Sequence, residues 1–337
     1  MSTLSIQDVD RLRDDLGALR EGAALSPLDD RALLAARGED RTSFLQGMLS
    51  NDVASLAAGQ GTYALLLTEQ GRPVADLLVL ALADAFWLET DAPARSRVRE
   101  ALERFIVADD VELDELVAHG VALRGPRAIE VLAGALPAHA DALRALAECA
   151  HLEVEHGGAK LRVARTRDMG LDAFRVWTSD AGARDALAEA LVAQGARRVG
   201  ADALEVQRVV AGWARADVDY GPQTLAAEVP CFARAVSYRK GCYLGQEVME
   251  RVAARGHVNW LLVRLTADAS ASFSGSAKVK DGDGEVGRVT SVVRLPDGGL
   301  AALARVRAAV AETGRRLAVE GDAGDVPVEV ATIPVQT

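Results

Sequence analysis

From Val258 onward the sequence consists of short apolar stretches separated by glycine-containing turns. Each stretch has the length of a β-strand, and the turns recur at regular spacing, as in an all-β unit. About six such strands predict a small barrel or a sandwich in this part of the chain. The stretches are Trp260–Leu265, Ser276–Lys280, Glu285–Val293 and Leu300–Ala304, with two more toward the end.

The 337 residues exceed the usual size of a single hydrophobic core, so two or three domains are expected. Before the barrel, strands and amphipathic helices alternate twice, which predicts two ferredoxin-like α+β units. Residues 1–24 are a helical or loose lead-in, and residues 200–256 form a connecting segment. The predicted fold is therefore α+β, with a first unit over 25–120, a second over 121–199 and a β-barrel over 257–337.

The composition excludes several classes of protein. No stretch approaches the roughly 18 apolar residues that span a bilayer, and the first residues carry acids where a signal peptide has an apolar core. We expect a cytoplasmic monomer without membrane contact. The net charge of −11 argues against a duplex-wide nucleic-acid surface, because phosphate binding needs a concentrated positive face. The three cysteines are too widely spaced for a disulfide framework or a paired zinc site, and no metal site is predicted.

The segment Lys240–Glu247 reads Lys-Gly-Cys-Tyr-Leu-Gly-Gln-Glu and carries the strongest chemical signal. A neighbouring cation lowers the pKa of a thiol, so Lys240 beside Cys242 indicates a reactive thiolate. Gly241 and Gly245 would let a ligand or another chain approach closely. The alternative is that Cys242 is a small buried hydrophobic residue, as most free cysteines are.

Basic residues cluster around this motif in an otherwise acidic chain. Taken singly, each is typical of a solvated surface, but as a group they indicate a site for an anion. They are Arg234, Arg239, Lys240, Arg251 and Arg255.

Asp76 is an acid within an otherwise apolar strand. On an alternating strand it would face solvent; in a pocket, its shifted pKa would suit acid–base or ligand-orienting chemistry. The glycine-rich stretch 281–285 lacks the ligand spacing of a calcium loop and predicts a hairpin turn. Dinucleotide fingerprints and phosphate-binding loops are absent from the sequence.

The segment KGCYLGQEVMERVAARG, residues 240–256, resembles the signature of the YgfZ-type folate-binding proteins, relatives of the glycine-cleavage T-protein (the aminomethyltransferase GcvT). Residues 33–80, 102–113, 287–291 and 300–306 are also similar to this superfamily. The resemblance implies a cloverleaf of three units around a central hole that receives tetrahydrofolate. It also implies a role in [4Fe–4S] cluster assembly or repair, with iron–sulfur enzymes or assembly proteins as partners and tRNA modification supported indirectly.

The resemblance further implies roles for individual residues. Cys242 would be a transient nucleophile or a transient ligand to iron or sulfur, with Lys240 favouring its thiolate. Arg251 and Arg255 would bind the carboxylates of the folate tail. Further contacts to folate or a partner are expected from Tyr63, Asp76, Glu228, Gly241, Gly245, Gln246 and Glu247.

Two positions depart from the T-protein branch. Val210 stands where that branch carries a glutamate for the pterin ring, and losing a charged partner weakens binding by about 1.5–3 kcal/mol unless Glu205 or Glu228 substitutes. Ala75 replaces one of two paired aspartates and leaves Asp76. These departures favour folate-linked cluster maintenance. Two alternatives stay open: a folate-dependent aminomethyl- or methyltransferase that uses Asp76 as its orienting acid, and a non-catalytic folate- or partner-binding module.

Overall fold

The structure is a computed structural model that describes the backbone of residues 6–333 and the side chains of residues 7–333 except that of Arg255. The α-helices are α1 (Ile6–Glu21), α2 (Arg41–Met48), α3 (Arg95–Glu103), α4 (Ala128–Ala135), α5 (Ala140–Arg144), α6 (Ala181–Ala193), α7 (Ala201–Ala211) and α8 (Gln246–Arg255). The strands are β1 (Ala24–Pro27), β2 (Arg31–Arg37), β3 (Gly61–Leu67), β4 (Pro73–Ala81), β5 (Phe86–Asp91), β6 (Glu112–Leu116), β7 (His119–Arg124), β8 (His151–His156), β9 (Ala159–Asp168), β10 (Leu171–Thr178), β11 (Arg197–Arg198), β12 (Trp260–Ala267), β13 (Lys278–Asp281), β14 (Gly284–Arg294), β15 (Leu300–Arg307), β16 (Arg316–Gly321) and β17 (Gly324–Ala331).

The first sheet is antiparallel, with strand order β3-β4-β5-β2-β6, and helices α2 and α3 cover one of its faces. Side chains alternate along a strand, so Ala75 and Leu77 of β4 pack toward these helices while Leu78 and Leu80 pack in the centre of the molecule. Both faces of the sheet are buried, which explains why its strands are continuous apolar runs in the sequence.

The second sheet has the order β11-β1-β7-β10-β9-β8 and is covered by α4, α5 and α6. Strand β1 pairs with β7 and β11 in this sheet, although the sequence places residues 25–27 at the start of the first unit. The chain therefore crosses between the two sheets after β1. No local pattern specifies such a crossing, because the partner strands lie far away in the sequence.

The C-terminal strands form a closed barrel in the order β12-β15-β14-β13-β16-β17. Alternate residues such as Val263, Leu265, Val289 and Val306 fill its interior. The predicted barrel is thus confirmed, and the stretch at 281–284 is the turn of the β13–β14 hairpin. The predicted α+β fold with a C-terminal barrel is confirmed as a whole.

The predicted lead-in contains helix α1, whose Leu12, Leu16 and Leu19 are buried in a central cluster. This cluster also includes Val206 and Val209 of α7, inner residues of the first sheet, and Leu303 of the barrel. It joins the three units into one body. None of the helices within residues 6–333 is long and apolar enough to cross a membrane.

Candidate active site

A cavity of about 240 Å³ lies where the two sheets meet α7. Its wall is dominated by charged side chains of both signs, with Trp213, Met169 and Leu204 as larger apolar groups. The carboxylates are Asp30, Asp76, Asp91, Asp168 and Glu205. The guanidinium groups are Arg31, Arg124, Arg175, Arg208 and Arg215. We call this space the central cavity.

Asp76 lies on the cavity side of β4, opposite in direction to Ala75, and is 8% exposed. Its Oδ2 accepts a hydrogen bond of 2.8 Å from the Tyr63 hydroxyl, and its Oδ1 accepts one of 3.2 Å from the Tyr220 hydroxyl. Burial and the nearby Asp76 carboxylate raise the pKa of both tyrosines well above the usual range. Both hydroxyls therefore stay protonated and hold the carboxylate in one orientation.

An aromatic pair stands beside Asp76. The rings of Tyr63 and Trp213 lie 6.1 Å apart between centroids, and the Arg234 guanidinium is 4.4 Å from the first centroid and 5.0 Å from the second. Arg234 donates hydrogen bonds to Glu148 at 2.8 Å and to the carbonyl of Arg167 at 3.0 Å. This cation–π contact fixes both rings. The Arg234 guanidinium therefore binds at this aromatic pair and does not form an anion site at the cysteine motif.

A network of buried ion pairs holds the arginine side chains of the cavity wall in place. Glu89 is fully buried and accepts hydrogen bonds from Arg31, Arg175 and the indole of Trp177, two of them at 3.0 Å. Asp168 accepts a hydrogen bond of 2.7 Å from Arg124. Burial alone would raise the pKa of Asp168, but its arginine neighbours hold that pKa well below its usual range.

Helix α7 presents one face to the cavity. Ala201, Leu204, Glu205 and Arg208 lie on it at helical spacing. The Glu205 carboxylate is bound by Arg208 at 2.7 and 2.9 Å and by Arg215 at 3.0 Å. Burial would raise the pKa of Glu205, and the two guanidinium groups lower it despite that.

Val210 lies elsewhere on α7. It lines a separate pocket with Leu16 of α1 and Leu295 of the barrel, away from the central cavity. Of the two predicted substitutes for its missing carboxylate, Glu205 lines the cavity. Glu228 does not, because it is buried in an ion pair of 2.9 Å with Arg305.

The cysteine motif forms a loop outside the central cavity, before α8. Cys242 is exposed, whereas Cys149 and Cys231 are buried. The Lys240 ammonium donates to the carbonyls of Gln46 and Leu49, each at 2.6 Å, and to that of Asn51 at 3.0 Å. Burial lowers the pKa of Lys240 to about 8. All three ammonium donors are thus bound to backbone near the end of α2, and none is left for the thiol.

The two glycines of the motif differ in their surroundings. A Cβ on Gly245, whose φ is +83°, would lie 2.4 Å from the carbonyl oxygen of Thr68. A Cβ on Gly241 would meet no atom within 4 Å. Gly245 therefore allows the loop to pack against the β3–β4 hairpin, which is a structural reason for the glycine.

The remaining predicted residues of the motif lie on or beside α8. Gln246 accepts a hydrogen bond of 3.0 Å from the Tyr243 amide and donates one of 2.6 Å to Glu250. Glu247 and Arg251 are exposed, and the side chain of Arg255 lies outside the described part of the structure. The structure thus brings Tyr63 and Asp76 together but leaves the cysteine motif and α8 off the cavity wall.

Several residues that line the cavity or contact its wall were not predicted from the sequence. Tyr220 and Trp213 follow α7 in a loop without regular pattern, and Glu89 and Asp91 belong to a strand whose acids resemble surface residues. One signal in the sequence is the scarcity of aromatic residues, at 4% of the chain, which makes each tyrosine or tryptophan near an acid more informative.

Comparison with known proteins identifies the relatives of this chain. It is 29% identical over 241 residues to an aminomethyltransferase from Rubrobacter xylanophilus, covering 71% of this chain and 64% of that protein. It is 28% identical over 332 residues to an aminomethyltransferase from Geobacillus kaustophilus, covering 96% of this chain and 90% of that protein. The glycine cleavage system aminomethyltransferase T from Bartonella henselae has the same fold, with a TM-score of 0.84 and 24% identity. The match covers 96% of this chain and 89% of that protein. Residues 7–240 match the family model of the GCVT N-terminal domain, and the chain belongs to that family.

Proposed function

We propose that the central cavity binds the ring of a reduced folate and that the protein transfers an aminomethyl-type one-carbon unit there. The observation that carries this proposal is Asp76, a buried carboxylate at the cavity wall, oriented by two tyrosine hydroxyls. The names of the relatives agree with the aminomethyltransferase alternative that the sequence left open.

The residues of the cavity fit a pterin ring, which has both donor and acceptor atoms along its edge. Carboxylates such as Asp76 and Glu205 accept hydrogen bonds, and Trp213 offers a flat apolar surface. Nε of Arg175 is a buried donor without a partner in the described part of the chain. The cavity, at about 240 Å³, is smaller than typical pockets for whole drug-sized ligands, so the folate tail would extend beyond it.

Tetrahydrofolate would supply the nitrogen atoms that accept the one-carbon unit, and the amino group of the donor would leave as ammonia. The protein would bind the folate ring and orient it. The Asp76 carboxylate would hold an N–H group and stabilise positive charge that develops beside it, which is effective because Asp76 is buried. Tyr63 and Tyr220 keep the carboxylate fixed, so no reorganisation is needed during the reaction.

Calorimetric titration with tetrahydrofolate tests the proposal. Asp76→Asn should weaken binding about 10–100-fold, as expected for the loss of a charged hydrogen-bond partner. Asp84→Asn is a matched control, because Asp84 is an exposed carboxylate that follows the same strand and does not line the cavity. Turnover is then measured by mass spectrometry of folate incubated with an amine donor. Wild-type protein without saturable folate binding, or an Asp76→Asn variant with unchanged affinity, overturns the proposal.

A second candidate is the YgfZ-type role in iron–sulfur cluster assembly or repair, with cluster enzymes or assembly proteins as partners. Its supporting observation is that Cys242 is exposed on a loop held by Lys240, so a partner can reach the thiol. In a strain that lacks this protein, the wild-type chain should restore the activity of [4Fe–4S] enzymes and Cys242→Ser should not. Asp76→Asn in the same strain tests the folate site separately. Full recovery by Cys242→Ser excludes the proposed role of the thiol.

A further inference from the structure

A second pocket, of about 400 Å³, shares no lining residue with the central cavity. It lies between α3, the beginning of β4 and the loop 217–222, and we call it the α3 pocket. Tyr220 connects the two spaces: it lines the α3 pocket, and its hydroxyl donates to Asp76, which lines the central cavity. The ring of Phe232 packs edge-on against that of Tyr220, with centroids 5.0 Å apart, and holds it in place.

The lining of the α3 pocket is mostly apolar, with Pro73, Val74, Ala101 and Pro222 around the tyrosine ring. Such walls remove water from a ligand's hydrocarbon part and contribute through the hydrophobic effect. A ligand that fills this space therefore needs an apolar body.

Four charged side chains also line the pocket, and two of them neutralise each other. Arg97 forms an ion pair with Asp217 at 3.1 Å and donates to the carbonyl of Val74 at 3.1 Å. Arg72 and Glu100 form no ion pair within the described part of the chain. Arg72 binds only neutral acceptors in the loop at 222–223, and its Nε is buried without a partner among the described residues.

We infer that the α3 pocket binds a small zwitterion, an amino acid with an apolar side chain, whose carboxylate pairs with Arg72 and whose ammonium pairs with Glu100. One unpaired cation and one unpaired anion in an apolar pocket are complementary to such a ligand, and a guanidinium matches a carboxylate in geometry. The inference rests on the proposed function and deepens it, because it names the class of a second ligand whose pocket is connected to Asp76 through Tyr220.

L-Leucine is the probe, compared with two analogues of the same shape. L-Leucinamide lacks the carboxylate, and 4-methylpentanoate lacks the ammonium group. Binding is measured by calorimetry or by ligand-observed NMR. Wild-type protein should bind leucine about tenfold more tightly than leucinamide, since a charged hydrogen-bonded pair is lost. It should prefer leucine over 4-methylpentanoate only about threefold, because Glu100 is exposed and its ion pair is screened.

Two variants assign each charge. Arg72→Gln should bind leucine and leucinamide equally and still prefer leucine over 4-methylpentanoate. Glu100→Gln should bind leucine and 4-methylpentanoate equally and still prefer leucine over leucinamide. Arg99→Gln is the control, because Arg99 is on the same helix but pairs with Glu103 outside the pocket. It should behave as wild type. No saturable leucine binding, or an Arg72→Gln variant that still discriminates against leucinamide, overturns the inference.

Parallel titration with tetrahydrofolate separates this inference from the proposed function. Arg72→Gln should leave folate affinity unchanged, because Arg72 does not line the central cavity. Leucine binding without folate binding would refute the proposed function and keep the zwitterion site. Competition between leucine and tetrahydrofolate would place the folate tail in the α3 pocket and overturn the inference.

Discussion

Replacing Gly245 by alanine tests whether the cysteine motif needs this glycine for packing. Its φ of +83° lies in the left-handed region, which costs a residue with a side chain about 1–2 kcal/mol. The added Cβ would also lie 2.4 Å from the carbonyl oxygen of Thr68 and 3.1 Å from the Cβ of Leu67. Backbone must move to relieve this overlap, at a further cost of about 1–3 kcal/mol. The expected loss in free energy of unfolding is therefore about 2–5 kcal/mol.

Gly241→Ala is the matched control within the same motif. Its Cβ would meet no atom within 4 Å, and its φ is outside the left-handed region, so the stability should change by less than about 0.5 kcal/mol. Both variants are compared by urea unfolding at pH 7, followed by far-UV circular dichroism. Hydrogen exchange at the Leu244 amide, which donates to the carbonyl of Gly47 at 2.9 Å, reports the loop itself and should accelerate only in Gly245→Ala. Equal unfolding midpoints for the two variants would refute the packing argument.

Three further measurements follow from the structure. At pH 8 a thiol reagent should modify the exposed Cys242 rapidly. Cys149 and Cys231 should react slowly, because burial raises the pKa of Cys149 to about 11 and that of Cys231 to about 12. Fast labelling of a Cys242→Ser variant would contradict this. The lowered pKa of Glu205 contributes stability that is present above about pH 4.3 and is lost as the pH falls below it. In Glu205→Gln the midpoint of urea unfolding should therefore decline less steeply as the pH falls. The same dependence of the midpoint on pH in variant and wild type would count against the ion pairs. Val210→Glu should leave tetrahydrofolate affinity within about twofold of wild type, because that position faces another pocket; a tenfold gain would show that it reaches the folate.

The extent to which sequence predicts this structure differs between elements for physical reasons. The barrel could be predicted because strand alternation and glycine turns are local signals. The placement of β1 in the second sheet could not, since strand pairing over long separations leaves no local trace. Asp76 could be singled out because an acid in an apolar strand is unusual. Glu89 could not, because only its arginine partners from both sheets show that it is buried.

The cysteine motif illustrates how a strong sequence signal can have a structural origin. Glycine and lysine near a cysteine are consistent with a reactive thiolate, but Lys240 binds three carbonyls near the end of α2 and Gly245 packs on the β3–β4 hairpin. The two interactions attach the loop to α2 and to the β3–β4 hairpin, both of which belong to the unit that carries Asp76. The motif therefore contributes to the shape of the folded body whether or not Cys242 reacts.

Helix geometry also changes the meaning of the valine at position 210. Residues at spacings of three and four share a helix face, so Glu205 and Arg208 lie toward the central cavity together with Leu204. Val210 is two residues beyond Arg208, about 200° around the helix at 3.6 residues per turn, and contacts the side of α1 instead. An acid at that position would enter the pocket lined by Arg13, Leu16 and Arg20, so its absence removes no carboxylate from the central cavity. For a ring bound in the central cavity as proposed, the acceptor that α7 offers is therefore the carboxylate of Glu205, and the effect of Val210 stays a prediction.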